Sequence, residues 1–320
     1  MVLELLPFEL TAVRLGPSEA LPEWVSSSRF LSLFRGSEEL SIICESGVVP
    51  GALTVEEDWC ALKLAGTQPF TLTGVLESIL KPLADAKVSI LAVSTYDTDY
   101  VLIKRFALEE AADALGGLFD LRYAATELPL SRRLKTDRLE LRKFRDSDLE
   151  AVFDYASSEE NTRFLSWSTH QSREDSQRFL STQREAILKG NEYNYAVVEG
   201  RTGRVIGSAG LTRFDDQMSS AELGYVLHRD FWGKGYATEL SRELLRYGFE
   251  ELRLQRIHAY CFTGNDASRR VLEKVGMRYL GVEAVQTLRQ ADPVDSYHFE
   301  ILQEEYRLAV ASTAYEGYTE

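Results

Sequence analysis

The chain has 320 residues, of which 44% are hydrophobic and 27% are charged, and its formal net charge is −14. This length exceeds what one compact core usually takes, so two domains are expected, and the composition excludes a disordered chain. The acidic charge argues against nucleic acid as the main partner, because phosphate binding requires a dense basic surface. A solvated acidic surface that aids solubility explains the charge by itself.

Cysteine and histidine are sparse. The three cysteines (Cys44, Cys60 and Cys261) lie far apart, and the four histidines form no H-x-x-x-H pair, so neither a disulfide framework nor a metal site is expected. The segment MVLELLPFELTAVRL has no basic region before its apolar residues, and no run of about 18 apolar residues occurs. These features predict no signal peptide and no membrane span, and they favour a reducing cytoplasm.

The N-terminal region alternates between strand and helix patterns. WCALKLA (59–65) alternates as a half-buried strand does, and VLESILKPLADA places Ile79 and Leu83 on one helical face, although Pro82 weakens its last turn. VSILAVSTYDTDYVLIKRF predicts two strands with a turn near TYDTD, and ALEEAADALGG predicts a helix that ends at Gly116. Upstream, FLSLF and LSIIC predict a hairpin around RGSEE.

The stretch DWCALKL, followed by FTLTGVLESILKPLADAKVSILAVSTYDTDYVLI, resembles the ACT-type regulatory domain. The resemblance implies a ferredoxin-like α+β region over residues 1–125, with a partial tandem copy in 1–55. Domains of this type bind an amino acid or a similar small ligand, so an amino-acid effector is expected; a docking or dimerisation scaffold is the alternative, and a homodimer is left open. The residues that the resemblance places at a ligand pocket are Gly74, Leu76, Ser89 and Thr95.

A linker is expected over 126–135, where the sequence shows no sustained period. Beyond it, KTDRLELRKFRDSDL predicts a strand and then a helix capped near Asp146 or Ser147. Residues 148–190 contain two helical stretches, separated by FLSWSTHQS. After Gly190, YNYAVVEG, VIGSAGLTRF and SAELGYVLH predict three successive strands.

The stretch HRDFWGKG lies between a strand that ends near His228 and an amphipathic helix, ATELSRELL. Gly233 and Gly235 directly precede this helix. Glycine lets the backbone approach an anion closely, and the first helical N–H groups favour negative charge. The pattern predicts a pyrophosphate site, although a purely structural helix entry would also explain two glycines.

FWGKGYATE, followed by NDASRRVLEKVGM, is similar to the signature of the GNAT superfamily of N-acetyltransferases, in the branch of ribosomal-protein N-terminal acetyltransferases and their small-molecule-acting relatives. The resemblance also includes LKTDRLELRKF, FLSW-x-x-H, AELGYVL and EILQEEY. It implies a mixed, mostly antiparallel sheet that is splayed where acetyl-CoA enters, over 136–312, with a tail at 313–320. Asp230 stands where the family's loop usually has Gln or Arg, which affects only the rim of the loop.

The resemblance implies acetyl-CoA as co-substrate, no metal, and direct transfer of the acetyl group to a primary amine. Glu222 is the expected general base or ammonium anchor, with a surface carboxylate as the alternative, and Ser268 is the expected acid for the departing thiolate, with helix capping as the alternative. Trp167 and His170 are expected beside the acceptor, unless they are a buried aromatic and a satisfied histidine. The residues expected to bind acetyl-CoA are Leu223, Tyr225, Val226, Arg229, Trp232, Gly233, Lys234, Gly235, Tyr236, Ala237, Asn265 and Ser268.

Three acceptors agree with this interpretation: an amino acid, a small amine and a protein N-terminus. Amino-acid binding to the ACT-like region would then regulate the transferase. The rival interpretation is a sensing protein whose GNAT domain binds CoA without catalysis. The intact Glu222, Asn265 and Ser268 argue against the rival, and the ACT-like region keeps it open.

Overall fold

The computed structural model describes residues 1–51, 53–67, 74–126, 129–130, 133–190, 193–289 and 292–316. The chain divides into two compact units, residues 1–132 with 188–190, and residues 133–187 with 191–320. Within the described residues, each unit contains its own sheet of eight strands. The predicted mixed α and β architecture is therefore confirmed for both halves of the chain.

The first unit combines its strands with two helices. The strands are β1 (Val2–Leu5), β2 (Leu10–Leu15), β3 (Leu31–Arg35), β4 (Leu40–Glu45), β5 (Val55–Leu64), β6 (Ile90–Ser94), β7 (Asp99–Lys104) and β8 (Asp120–Tyr123). The helices are α1 (Val75–Asp85) and α2 (Leu108–Leu115). β5 begins four residues before the predicted WCALKLA strand, because its first half pairs with β2 while its later residues pair with β7 and β1.

The strand order of this unit repeats. In the sheet, β7 lies between β6 and β5. In the same way, β4 lies between β3 and β2, so that β3, β4 and β2 correspond to β6, β7 and β5. Between the earlier strands, short 3-10 turns at Glu23–Ser27 and Ser46–Val48 stand where the later half has helices. A partial tandem copy with its helices reduced to turns would have this form.

Helix α1 continues through Pro82, which the sequence predicts to weaken its last turn. Proline removes one backbone hydrogen bond from a helix. Ile79 and Leu83, on either side of Pro82, are both fully buried. Their packing offsets the lost bond, and the helix ends at Asp85.

The second unit is larger. Its strands are β9 (Leu134–Lys135), β10 (Leu139–Arg142), β11 (Tyr193–Glu199), β12 (Val205–Thr212), β13 (Ser220–Leu227), β14 (Arg256–Phe262), β15 (Arg278–Val285) and β16 (Val294–Leu302). Its helices are α3 (Leu149–Ala156), α4 (Glu159–Thr162), α5 (Arg173–Lys189), α6 (Tyr236–Arg246), α7 (Asp266–Lys274) and α8 (Gln303–Glu316).

The sheet of this unit has the order β15-β16-β14-β13-β12-β11-β10-β9. Every neighbouring pair is antiparallel except β13 and β14, which are parallel. These two strands pair only from Ser220 to Glu222 and from Arg256 to His258. Beyond those residues the sheet opens, and no strand formed by the described residues pairs with the facing edges of 223–227 and 259–262. The predicted splayed sheet is confirmed.

Neighbouring residues of β13 contact different helices on the two faces of the sheet. Val226 on β13 packs with Val152 and Tyr155 of α3 and with Leu180 of α5. Tyr225, the preceding residue, bonds instead to Ser268 on α7, on the other face. Because side chains alternate along a strand, Glu222 lies on the same face as Val226.

Two predicted boundaries differ from the structure. Leu134 and Lys135, predicted to be in the linker, form β9, which pairs with β10. The tail predicted at 313–320 begins within α8, which continues to Glu316. Residues 317–320 lie outside the described part of the chain, and so do residues 127–128 and 131–132 of the predicted linker.

Candidate active site

At the start of α6 the first backbone N–H groups have no intrahelical partner. Gly233 and Gly235 have φ values of +71° and +81°, a region that favours glycine, and Gly235 is the N-terminal cap of α6 without contributing a side chain. Among the described residues, no hydrogen-bond acceptor contacts the amides of Tyr236, Ala237 and Thr238. Free amides at the positive end of a helix dipole form a site for an anion such as pyrophosphate.

Glu239, in the first turn of α6, holds this loop in place. Its carboxylate accepts hydrogen bonds from the Arg138 amide (2.9 Å), the Arg138 side chain (Nε, 2.6 Å) and the Thr136 hydroxyl. Burial alone would raise the pKa of Glu239, but these hydrogen bonds outweigh it and lower the pKa. Arg138 also donates to the Lys234 carbonyl (2.9 Å). The sequence analysis missed this anchor, because no local pattern links residues 101 positions apart.

The rim of the loop carries cationic and aromatic groups. The Arg229 guanidinium forms an ion pair with Glu160 (2.8 Å), which compensates its positive charge. Lys234 is exposed, and its ammonium lies 4.9 Å from the Phe231 ring centroid. The Trp232 indole donates to the Leu227 carbonyl (2.7 Å) and leaves the ring 47% exposed. Lys234 is thus the cation of the loop best placed for an anion.

Other residues expected to bind acetyl-CoA have side chains engaged elsewhere. Val226 is in the core described above. The Tyr236 ring lies under the Arg138 guanidinium, and its hydroxyl donates to Glu199 (3.1 Å). The Asn265 side chain accepts from the Ser268 amide (3.2 Å) and caps α7. Val226 and Tyr236 would therefore contact the donor mainly through backbone atoms, whereas the side-chain amide nitrogen of Asn265 can still donate a hydrogen bond.

Tyr225 and Ser268 meet at the edge of the opening. Their hydroxyl oxygens are 3.0 Å apart. Burial raises the pKa of Tyr225 to about 12, so its hydroxyl stays protonated at neutral pH. Burial likewise raises the pKa of the nearby Cys261 thiol to about 11. Leu223, two residues before Tyr225 on β13, is buried. The pair supplies neutral O–H donors on the α7 face of the sheet.

Glu222 lies where the parallel pairing ends. Its carboxylate accepts from Arg213 Nη1 (3.0 Å), and its side chain is 19% exposed. The register of the strands places His258 directly opposite. Glu222 is therefore a partly buried carboxylate at the base of the opening, on the face opposite to Ser268.

Beside Glu222 the structure brings together a cluster that the sequence analysis missed. His298 Nδ1 and Glu283 Oε1 are 2.7 Å apart, the Tyr260 hydroxyl donates to Glu283 (3.3 Å), and the Tyr260 and His298 rings stack at 4.5 Å. The rings of His258 and His298 are 6.1 Å apart. The alternation of His258 and Tyr260 on one strand predicts that their side chains share a face of the sheet. No short sequence pattern predicts that Glu283 on β15 and His298 on β16 lie beside them.

Trp167 and His170 pack against each other before α5. Their ring centroids are 5.3 Å apart, and Trp167 lies against the α3 and α5 core. His170 Nδ1 is bonded to the Ser176 hydroxyl (2.8 Å), and burial lowers the pKa of His170. These contacts give both residues a packing role, and their contact with the acceptor stays a prediction.

The four residues expected to bind a ligand in the first unit lie around α1 and the β6–β7 hairpin. Gly74 precedes α1 with φ +81°, and Leu76 is half-buried. Ser89 and Thr95 are exposed, and the Thr95 hydroxyl donates to the Thr98 carbonyl (2.8 Å) across the hairpin turn. Residues 68–73 of the loop before α1 lie outside the described residues. A ligand-binding role for these four stays a prediction.

The structure also describes groups relevant to metals and membranes. Within the described ranges, three or more His, Cys, Asp or Glu side chains nowhere converge as a metal site would require. No helix formed by those residues has the length and apolarity needed to cross a bilayer. All three cysteines are buried thiols.

Comparisons with known proteins agree with this geometry. The family model described as "Acetyltransferase (GNAT) domain" matches residues 138–278, and the ACT domain model matches 54–116. The chain is 30% identical over 173 residues to the uncharacterized N-acetyltransferase p20 of Bacillus licheniformis, covering 54% of this chain and 97% of that protein. It is 31% identical over 169 residues to the uncharacterized N-acetyltransferase YoaA of Bacillus subtilis, covering 53% and 96%.

A solved structure, described as an acetyltransferase of the GNAT family from Bacillus anthracis, is 29% identical and covers 54% of this chain and 99% of its own, with a TM-score of 0.48. The two Bacillus relatives are matched over nearly their whole lengths. Enzymes of this family use acetyl-CoA. The chain therefore belongs to the GNAT family of N-acetyltransferases and carries an ACT domain in its N-terminal region.

Proposed function

We propose that this enzyme transfers the acetyl group of acetyl-CoA directly to a primary amine at the opening between β13 and β14. The observation that carries the proposal is the position of strand β13. Glu222 lies at its paired end, and the chain continues from its other end into the loop with the free amides. One strand edge thus connects a partly buried carboxylate to an anion site.

The residues present suit acetyl-CoA. The free amides at the start of α6 and the Lys234 ammonium would hold the pyrophosphate. The unpaired strand edges at 223–227 and 259–262 offer backbone partners to the amide groups of the pantetheine arm. Tyr225 and Ser268 would lie near the sulfur.

Acetyl-CoA supplies an activated acyl group as a thioester. Glu222 binds the acceptor's ammonium and accepts its proton, which frees the nitrogen lone pair for attack. Tyr225 and Ser268 are neutral donors that supply a proton to the departing thiolate, and the second N–H proton lost by the attacking amine restores them. The raised pKa of Cys261 keeps its thiol protonated, and this argues against an acyl-cysteine step.

We expect CoA release from acetyl-CoA to accelerate with at least one cationic primary amine from a panel of amino acids, diamines and peptides with free N-termini. The reason is that Glu222 places a carboxylate at the base of the opening, where it can pair with an ammonium group. N-acetylated versions of the same compounds are the matched controls. If acetyl-CoA binds but no amine increases release above the controls, a non-catalytic CoA-sensing protein is the correct interpretation.

We also propose that the ACT domain binds an amino acid and tunes the transferase. The supporting observation is the left-handed turn at Gly74, which starts α1 beside the β6–β7 hairpin as the ACT resemblance expects. We propose the reducing cytoplasm as its location, because the three buried cysteines are thiols rather than disulfides. Assembly as a homodimer stays a prediction.

Screening the twenty amino acids by thermal shift on the full chain should identify one that raises the melting temperature, because a ligand that binds only the folded state stabilises it. Regulation further requires that this amino acid change acetyl-CoA affinity, with a coupling of typically about 1–3 kcal/mol, and that acetyl-CoA change its affinity equally. Replacing Gly74 with valine should abolish the shift while acetyl-CoA binding remains. Absence of any shift would contradict the sensor proposal.

A further inference from the structure

Acetylation of an ammonium releases one net proton. The acceptor R–NH₃⁺ loses two hydrogens when it becomes R–NH–acetyl, and the thiolate of CoA takes one of them. The other must reach solvent in every turnover. In the proposed function, on which this inference rests, Glu222 receives that proton at the base of the opening, where its side chain is only 19% exposed.

The hydrogen bond between His298 and Glu283 determines the state of the His298 ring. An ionised carboxylate can only accept, so the Nδ1 of His298 carries the hydrogen that lies in the 2.7 Å contact with Glu283. In the neutral ring, Nε2 is then the unprotonated nitrogen. This atom is buried and has no hydrogen-bond partner among the described residues, in a side chain that is itself more than nine-tenths buried.

His258 lies between this pair and Glu222. It faces Glu222 across the parallel strands, and its ring meets the His298 ring edge to face, with centroids 6.1 Å apart and planes at 87°. Its Nδ1 is also buried without a partner in the described structure. A buried polar atom is rarely left without a partner, so two neighbouring imidazoles with such atoms indicate a role for both rings.

We propose that Glu222, His258, His298 and Glu283 form a relay that carries the acceptor's proton from the opening to solvent. The proton passes from Glu222 to the His258 ring and then, directly or through one water, to Nε2 of His298. The His298 ring releases its Nδ1 proton to Glu283. The Glu283 side chain is 52% exposed and returns the proton to water. Each imidazole gains one proton and loses one, which leaves the proton of each ring on its other nitrogen, so exchange with water must return both rings to their starting tautomers before the next turnover.

The charges around His258 allow a proton to stay on its ring only briefly. The groups that face it are Arg213 and Glu222 from the neighbouring strands, Arg256 and Tyr260 on its own strand, and Glu283, His298 and Glu300 beyond. Burial, with Arg256, His298 and Arg213, lowers the pKa of His258 to about 4. The ring is therefore neutral at physiological pH and does not retain a proton that enters it.

The test replaces Glu283 with glutamine, whose amide oxygen still accepts from His298 but cannot take its proton. We expect kcat to fall about tenfold and the acceptor KM to stay nearly unchanged. This fall in kcat is smaller than the loss that follows removal of a direct general acid or base. Small buffers such as imidazole should restore the rate. In a Glu222→Gln background, Glu283→Gln should add little, because a relay without its first member carries nothing. Glu140→Gln, a partly exposed carboxylate on β10, is the matched control.

A second measurement needs no turnover. Nitrogen NMR of the unliganded protein should show His298 protonated at Nδ1 and His258 neutral at pH 6. Protonation of His298 at Nε2 instead, or an unchanged kcat in Glu283→Gln, would overturn the relay. Wild-type turnover with a primary amine would still support the proposed function in those cases, whereas its absence would refute the proposed function and the relay together.

Discussion

Acetyl-CoA affinity is expected to fall roughly 10- to 100-fold when Gly235 is replaced by valine, since strain of about 1–3 kcal/mol corresponds to such factors. Gly235 has φ +81°, which a β-branched residue adopts only with strain, and a Cβ there would lie 3.4 Å from the Arg138 guanidinium. Relief of that strain would move the free amides of α6 away from the pyrophosphate. Isothermal calorimetry with acetyl-CoA measures the loss.

The matched control for this change is Gly203→Val. Gly203 also has a positive φ, +70°, but it lies in the turn between β11 and β12, and a Cβ there meets open space. Both variants should lose a similar amount of stability, and only Gly235→Val should lose affinity. Wild-type affinity in a folded Gly235→Val protein would show that the donor's phosphates bind elsewhere.

The second large effect is expected at Glu222. Glu222→Gln should lower kcat by roughly 10²-fold while acetyl-CoA binding survives, because the amide can still accept a hydrogen bond but cannot take the acceptor's proton. The measurement is steady-state CoA release over a pH series, with acetyl-CoA affinity measured by calorimetry on the same variant.

Arg213→Gln separates the proton-accepting role from the ion pair. If the carboxylate of Glu222 matters only because it pairs with Arg213 (3.0 Å), both variants should be equally impaired. If it accepts a proton, Arg213→Gln should keep kcat within several-fold, since the carboxylate remains. Wild-type turnover of Glu222→Gln across the pH series would exclude Glu222 from the chemistry.

Predictions from sequence succeeded where the physical requirement is local. Gly233 and Gly235 precede an amphipathic helix, and both the positive φ and the free amides follow from that short segment. The apolar alternation of β11, β12 and β13 likewise determines three strands without reference to any partner. The structure shows Asn265 capping α7 through its side-chain oxygen, and its predicted contact with acetyl-CoA stays a prediction.

Only the tertiary structure decided which distant groups meet. Glu239 anchors Arg138 across 101 residues, and the cluster beside Glu222 draws His258, Glu283 and His298 from three different strands. Such contacts depend on strand order and register, which come from the packing of the whole sheet rather than from any short segment. For the same reason, the opening between β13 and β14 has no signature in either strand, because it arises where a parallel pairing of three residues ends.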